Sequence, residues 1–97
     1  MSLPPIERHD PATGEARSPL LVDDAARVAQ KYTAARAAQA EWAARPFAER
    51  HACIQRFREL VAERRDALAA IQSAETGKPI KQARGEVGAT PPRIDWF

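Results

Sequence analysis

Alanine supplies about half of the apolar residues in this chain, and this constrains the fold more than any other feature. The 97 residues include 21 alanines and 21 large apolar residues (Val, Ile, Leu, Met, Phe, Trp or Tyr). Alanine removes little area from water, so at about 25 cal/mol per Å² the hydrophobic gain of a small domain barely exceeds the cost of ordering it. The composition therefore predicts helices with a thin core that needs a partner, either more of the same chain or copies of itself.

The positive charge is offset within the segment that is richest in arginine. The formal net charge is +2, yet residues 47–75 contain five arginines and five acids. They are Arg50, Arg56, Arg58, Arg64 and Arg65 with Glu49, Glu59, Glu63, Asp66 and Glu75. A face of mixed sign pairs at i,i+3 and i,i+4 spacing and is typical of solvated surface rather than of a phosphate track. We expect no nucleic-acid partner.

The number of cysteines and the hydropathy of the chain restrict its expected cellular compartment. Cys53 is the single cysteine, which excludes an intramolecular disulfide and a cysteine metal cluster. No run is long and apolar enough to cross a membrane, and the N-terminal stretch "MSLPPIERHDP" lacks the basic-then-apolar order of a signal peptide. These features predict a cytoplasmic protein without a membrane partner.

The sequence predicts one partial domain, with an extended arm over residues 1–22 and a helical segment over 23–97. In the arm, a turn at 10–15 is expected because Pro11 fixes φ and Gly14 can take a positive φ, and a short hairpin would surround it. Helices are predicted at about 23–44, 47–75 and 79–90, with a short turn at 91–97. Asp23 is the expected N-cap of the first helix, and Pro46 ends it.

The stretch "SAETGKPIKQARGEV" is expected to join the second and third helices. Gly77 suits the left-handed residue just past a helix, and Pro79 suits the first turn of the next one. The pair Pro91–Pro92 interrupts the third helix, and Thr90 should leave the α region because a proline follows it. The predicted fold is all-α, with three helices and an extended arm, and its two longer helices form an antiparallel hairpin around Pro46.

Few residues suggest chemistry. The glycines form no GxGxxG or Walker pattern. Cys53 can in principle act as a nucleophile, but its position beside Ile54 favours a small buried hydrophobe. His9 and His51 match no metal-ligand spacing. Glu75 lies in the last turn of a helix, where the dipole disfavours an acid, so it is either a chance surface residue or has a partner such as a cation.

Four motifs occur in a recognisable order: "HDPATGE", "AEWAARPFAER", "RFRELVAERRDALAAIQSAETGKP" and "ARGEV". Together they resemble the N-terminal segment of the NAD(P)-dependent aldehyde dehydrogenase superfamily, whose parent fold is α/β. The resemblance implies NAD or NADP in the parent enzyme, where a cysteine thiolate attacks the aldehyde and hydride passes to the nicotinamide. The catalytic and cofactor residues lie downstream of the matching region. We therefore expect no catalytic residue, no cofactor and no activity in this chain alone.

The resemblance also suggests one binding site. Some members of the superfamily hold a monovalent cation, and the corresponding ligands here are the Glu75 side chain and backbone carbonyls of Arg8 and His9. Asp10 stands where asparagine is common. The terminal "RIDWF" indicates a chain cut inside a larger domain. Two hypotheses follow: a scaffold fragment that packs on the rest of an aldehyde dehydrogenase, or a stand-alone helical module that self-associates without enzymatic activity.

Overall fold

A β-hairpin followed by a chain of helices forms the fold, and the computed structural model describes residues 3–97 of it. The elements are β1 (Ile6–His9), β2 (Ala16–Leu20), α1 (Ala25–Ala44), α2 (Phe47–Glu63), α3 (Arg65–Thr76), α4 (Ile80–Gly88) and α5 (Thr90–Trp96). The chain is mostly helical, but the all-α prediction is wrong because a two-stranded sheet precedes the helices. Residues 3–97 also form five helices where three were predicted.

The hairpin forms around the turn that the sequence predicts. The two strands are antiparallel, with Ile6 opposite Leu20 and His9 opposite Ala16, and a register irregularity lies between Ile6 and Arg8. Gly14 has a φ of 75°, as expected for the residue at the turn exit. Backbone hydrogen bonds close the loop between the strands, so a local turn signal is sufficient to pair them.

Helix α1 begins one residue later than predicted. Asp24 rather than Asp23 is the N-cap, because its Oδ1 accepts a hydrogen bond of 2.8 Å from the Arg27 N–H. Asp23 instead pairs with the Lys31 ammonium. The helix spans 20 residues, or about 30 Å, and none of its residues is buried.

The predicted second helix, 47–75, is divided at Arg64 into α2 and α3. Arg64 has φ −100° and ψ 16°, away from ideal helical values. Its N–H still donates to the Leu60 carbonyl at 3.0 Å, and its carbonyl accepts from the Leu68 N–H at 2.9 Å. The hydrogen bonds of α2 therefore end at Arg64 and those of α3 begin there, and no glycine or proline lies near Arg64 to predict this break.

The predicted third helix, 79–90, is also interrupted. Pro79 stays extended (ψ 137°) just before α4, and Ala89 links α4 to α5. Thr90 is the first residue of α5, so the prediction that it leaves the α region is wrong. Pro91 and Pro92 occupy the first turn of α5, where a missing backbone N–H costs no helical hydrogen bond.

Helix packing differs from the predicted α1–α2 hairpin. The main helix contacts of residues 3–97 are α3 against α4 and α2 against α5. Ala69 of α3 and Ala83 of α4 are both 0% exposed, since small side chains allow two helices to approach closely. Arg45 and Pro46 are both extended (ψ 146° and 144°), and this linker directs α2 away from α1 instead of folding it back.

The molecule is a thin slab with little interior. Its extents are 48 × 42 × 16 Å and its radius of gyration is 17.7 Å, against about 12.5 Å for a compact domain of this length. The accessible surface is 7900 Å², whereas a compact monomer of this mass exposes about 5500 Å². Within residues 3–97, the buried hydrophobic residues are Val61, Ala69 and Ala83. The thin core predicted from alanine content is confirmed.

The sequence predicts no segment able to cross a membrane, and the helices agree with this prediction. In the described part of the chain, none of them combines the length and the apolar character needed to span a bilayer.

The contact of α2 with α5 should depend on pH. Arg58 donates from Nε and Nη2 to the two carboxylate oxygens of Asp95, at 2.5 and 2.7 Å. These hydrogen bonds lower the pKa of Asp95. A lowered carboxyl pKa stabilises the folded state above the unfolded pKa of about 3.9, and that contribution is lost as the pH falls through the folded value. Solvent screens this exposed pair, so we expect the α2–α5 contact to weaken only modestly below about pH 4. NMR shifts of α5 residues would follow the change, and Asp95→Asn should remove this pH dependence. An unchanged pH dependence in the variant would contradict the assignment.

Candidate functional site

Two of the recognised motifs, "DPATGE" and "ETGKP", lie against each other although 59 residues separate them in the sequence. We call this region, formed by residues 8–18 and 73–79, the hairpin–helix joint. A Cβ built on Gly77 would lie only 3.0 Å from the Pro11 Cβ. The turn of the hairpin is therefore seated directly on the C-terminal end of α3.

Side chains of the "ETGKP" motif satisfy the backbone groups at the end of α3. Gly77 takes the predicted left-handed conformation (φ 73°), and its N–H donates to the Ser73 carbonyl at 2.9 Å. The Ser73 hydroxyl donates to the Lys78 carbonyl at 2.6 Å. The Thr76 hydroxyl donates to the Gln72 carbonyl at 2.7 Å and accepts from the Lys78 N–H at 3.3 Å. The motif is thus a helix stop that fixes the direction of the chain leaving α3.

Asp10 organises the turn on the other side of the joint. Its Oδ1 accepts hydrogen bonds from the N–H groups of Ala12 (2.8 Å) and Thr13 (3.3 Å). The Thr13 hydroxyl in turn accepts from the Glu15 N–H at 3.2 Å. These hydrogen bonds require only an acceptor oxygen at the Oδ1 position of residue 10. An asparagine side chain would supply the same acceptor.

A pair of substitutions at Asp10 tests this interpretation. We expect Asp10→Ala to lower the free energy of unfolding by about 1 kcal/mol, since two backbone donors lose their partner. Asp10→Asn should remain within about 0.5 kcal/mol of the wild type because it retains Oδ1. Urea denaturation followed by circular dichroism measures both, and equal losses for the two variants would show that the charge, rather than the acceptor, matters.

The Arg8 side chain connects both strands of the hairpin to α3. Its Nη1 donates to Oε1 of Glu75 at 3.0 Å, while Nε and Nη2 donate to the Ser18 carbonyl at 3.0 and 2.7 Å. The Arg8 and Glu75 side chains are 27% and 46% exposed, so solvent screens the ion pair. Glu75 has a cationic partner despite its unfavourable position in the last turn of α3.

Of the three residues predicted to bind a monovalent cation, the structure brings Arg8 and Glu75 into contact. The Arg8 side chain makes this contact, whereas the prediction named the Arg8 backbone carbonyl as the ligand. The guanidinium already contacts the Glu75 oxygen that a cation would use, and two like charges compete for one carboxylate. His9 lies exposed in the same strand. No group of three or more His, Cys, Asp or Glu side chains within residues 3–97 is arranged to hold a metal ion. In this arrangement the residues fit a guanidinium, and the cation site stays a prediction.

A second ion pair, which the sequence analysis missed, attaches the joint to α4. Lys78 Nζ lies 2.6 Å from Oε1 of Glu86, and Gln72 donates to the other oxygen of the same carboxylate. These hydrogen bonds, that of Lys78 first, lower the pKa of Glu86. Lys78 and Glu86 are separated by eight residues and a helix start, so neither i,i+3 nor i,i+4 spacing indicates the pair.

Cys53 does not lie in a core. It is exposed, as are Ile54 (45%) and Phe57 (53%) on the same helix, so the prediction that it is a buried hydrophobe is wrong. The physical reason is that the apolar face of α2 is itself largely uncovered. His51 lies next to Phe47, with 5.8 Å between the ring centroids.

The N-terminus of α1 does not fit the pyrophosphate of a dinucleotide. Strand β2 leads into α1, but the helix N-terminus is occupied by the carboxylates of Asp23 and Asp24. Asp24 already accepts a hydrogen bond from the first turn of the helix, and both charges oppose a pyrophosphate.

Comparison with known proteins agrees with the motifs that meet at the joint. A family profile described as "Aldehyde dehydrogenase family" matches residues 2–97. An N-succinylglutamate 5-semialdehyde dehydrogenase of Chromohalobacter salexigens is 45% identical over 80 residues, which is 82% of this chain and 16% of that protein. N-succinylglutamate 5-semialdehyde dehydrogenase 1 of Caulobacter vibrioides is 40% identical over 94 residues, which is 97% of this chain and 20% of that protein.

A third relative, from Mycolicibacterium smegmatis, is provisionally named as an NADP(+) succinate-semialdehyde dehydrogenase. It is 47% identical over 75 residues, which is 77% of this chain and 14% of that protein. The chain belongs to the aldehyde dehydrogenase family of oxidoreductases and corresponds to an N-terminal segment of it. It spans only 14% to 20% of the length of these three relatives.

Proposed function

We propose that this chain is the scaffold part of an NAD(P)-dependent aldehyde dehydrogenase and holds none of its catalytic residues. The family match over residues 2–97, combined with the short length relative to its relatives, carries the proposal. The parent enzyme would oxidise an aldehyde to the acid through a cysteine thiohemiacetal, with NAD or NADP as the hydride acceptor. Its proposed location is the cytoplasm.

The joint explains what the scaffold does. Pro11 on Gly77, Arg8 on Glu75 and Lys78 on Glu86 fix the hairpin, α3 and α4 relative to one another. The other faces remain exposed, including Trp42 (38%), Phe47 (72%) and Ile71 (52%). In the parent enzyme, the rest of the chain would cover such faces, since contiguous apolar surface indicates an interface.

The names of the relatives suggest the class of substrate. Two act on N-succinylglutamate 5-semialdehyde and the third is named for succinate semialdehyde, and each of these aldehydes carries a carboxylate. We propose a carboxylate-bearing semialdehyde as the substrate of the parent enzyme. The residues that would recognise it lie outside this chain.

A chimera tests the scaffold function. Residues 2–97 of this chain would replace the matching segment of the Caulobacter vibrioides relative, and formation of reduced nicotinamide would be followed with N-succinylglutamate 5-semialdehyde as the substrate. We expect activity within about tenfold of the parental enzyme, because a scaffold changes positioning rather than chemistry. The isolated 97-residue chain should show none.

Two controls make the result decisive. The relative with its segment deleted should be inactive, and the chimera carrying Ala69→Glu should lose activity because α3 and α4 then separate. A chimera that has the size and helicity of the parental enzyme but no activity would contradict the proposed function.

A further inference from the structure

The four helices that follow α1 form two pairs, which the chain connects at two links. Helix α2 packs on α5, and α3 packs on α4. In the second pair, Arg84 also donates from Nε to Oδ1 of Asp66 at 3.0 Å. The break at Arg64 leads from α2 to α3, and Ala89 leads from α4 to α5. The orientation of one pair relative to the other therefore depends on these two links.

Both links lie at one place, because a side chain beside the first reaches the second. Arg65, the first residue of α3, donates from Nε to the Arg84 carbonyl of α4 at 3.0 Å. A Cβ built on Gly88, the last residue of α4, would lie 3.0 Å from this Nε and 3.2 Å from Nη2. The guanidinium thus fills the space that a side chain at position 88 would occupy. We call this region, formed by residues 64–65 and 88–89, the corner.

The last turn of α4 offers acceptors that a guanidinium can use. Pro91 and Pro92 have no N–H, so two carbonyls of this turn cannot receive the usual helical bond from four residues further on. Arg65 itself lies in the first turn of α3, where the helix dipole disfavours a cation, but its guanidinium reaches the C-terminal end of α4, where a cation is favoured. Arginine also provides five N–H donors in a planar fork. Both its charge and its donors therefore favour this position.

We propose that Arg65 is a positioning residue that locks the corner and so fixes the direction of the α2–α5 pair relative to the α3–α4 pair. While its guanidinium lies against the Gly88 backbone, the two links are held beside each other. Without the guanidinium, the links at Arg64 and Ala89 turn independently and the two pairs swing as rigid bodies. The corner is then a hinge, and Arg65 is its lock.

The two glycines of α4 differ in a way that supports this assignment. A Cβ built on Gly85 meets no atom within 4 Å, whereas the Arg65 guanidinium fills the corresponding space at Gly88. Glycine weakens a helix relative to alanine. At position 88 the missing side chain leaves room for the guanidinium, and this offsets the weakening. Alanine is therefore expected to strengthen α4 at position 85 and to release the corner at position 88.

Distances between two spin labels test the lock. Labels on the exposed native Cys53 of α2 and on Lys81→Cys of α4 report the orientation of one helix pair relative to the other. We expect a single narrow distance distribution when Arg65 is present and a wider one in Arg65→Ala, because the two links are then free to turn. Arg64→Ala removes the same charge from the adjacent residue and should leave the distribution narrow.

A second pair of labels shows whether the helices of one pair stay together. In a Cys53→Ser background, labels on Ala70→Cys of α3 and Lys81→Cys of α4 both lie within the α3–α4 pair, at exposed positions. Their distance distribution should not change in Arg65→Ala, since the buried alanines of the α3–α4 contact are retained. A substitution that only destabilised the fold would widen both distributions.

A double substitution tests whether Arg65 and Gly88 act together, with amide exchange of the α5 residues as the readout. Gly88→Ala should displace the guanidinium from the Arg84 carbonyl and speed this exchange about tenfold, since a hydrogen bond from a charged donor is lost. Gly85→Ala should not speed it. In an Arg65→Ala background, the two glycine substitutions should have the same effect, because no guanidinium remains to be displaced.

Four results would overturn the proposal. The first is an α2–α4 distribution that is equally wide with and without Arg65, and the second is a distribution within the α3–α4 pair that widens together with it. The third is an equal effect of Arg64→Ala and Arg65→Ala. The fourth is an effect of Gly88→Ala that persists unchanged in the Arg65→Ala background.

Discussion

Replacing Ala69 by glutamate is expected to separate α3 from α4 and to cost at least about 3 kcal/mol of stability. Ala69 is 0% exposed and lies where α3 packs on α4, the helix that carries the fully buried Ala83. A carboxylate there would be removed from water without a partner, and its longer side chain would force the helices apart. Urea denaturation followed by circular dichroism would measure the loss, and amide exchange would show whether both helices lose protection together.

Ala70→Glu provides the control for this substitution. Ala70 is the next residue of the same helix and is exposed, so helix propensity changes equally while burial differs. We expect its effect to stay within about 0.5 kcal/mol. If both variants lose the same stability, the α3–α4 contact is not what holds these helices in place.

Gly77→Ala is expected to have the second largest effect, a loss of about 2 kcal/mol. Two costs combine, because alanine is strained at a φ of 73° and its Cβ would approach the Pro11 Cβ at 3.0 Å. The second cost arises from contact between the hairpin and α3, so the substitution should loosen the hairpin as well as the end of the helix. NMR shifts of residues in the hairpin turn would report it.

Gly14→Ala separates the two costs. Gly14 has a similar φ of 75°, but a Cβ built there meets no atom within 4 Å. We expect a loss of about 1 kcal/mol from conformational strain alone. Equal losses for the two glycine variants would mean that Pro11 moves aside freely and that the turn is not fixed on α3.

Features set by a few neighbouring residues were predictable from the sequence. Gly14 and Gly77 take the left-handed conformation because only glycine adopts it without strain, and this requirement is visible in the local pattern. The break at Arg64 was not predictable, whereas Pro91–Pro92 indicated an interruption close to the break that lies at Ala89. No glycine or proline lies near Arg64, so the local pattern carries no signal for a helix end there.

Features that join distant segments were predictable only in part. The acid in the last turn of α3 left open whether Glu75 is a chance surface residue or has a partner, and the structure shows Arg8 as its partner. The α1–α2 hairpin was predicted from adjacency in sequence, yet α2 packs on α5 and α3 packs on α4. Helices rich in alanine offer little side-chain shape to choose one neighbour over another, so backbone direction at Arg45 and Pro46 decided the arrangement.

The 16 Å thickness of the slab has a consequence for heat denaturation. The heat capacity change of unfolding grows with the apolar area that becomes hydrated, and a slab barely thicker than one helix hides little of it. The isolated chain should therefore have a small heat capacity change and a broad calorimetric transition. The α3–α4 pair with its hairpin and the α2–α5 pair would melt as separate cooperative units rather than as one.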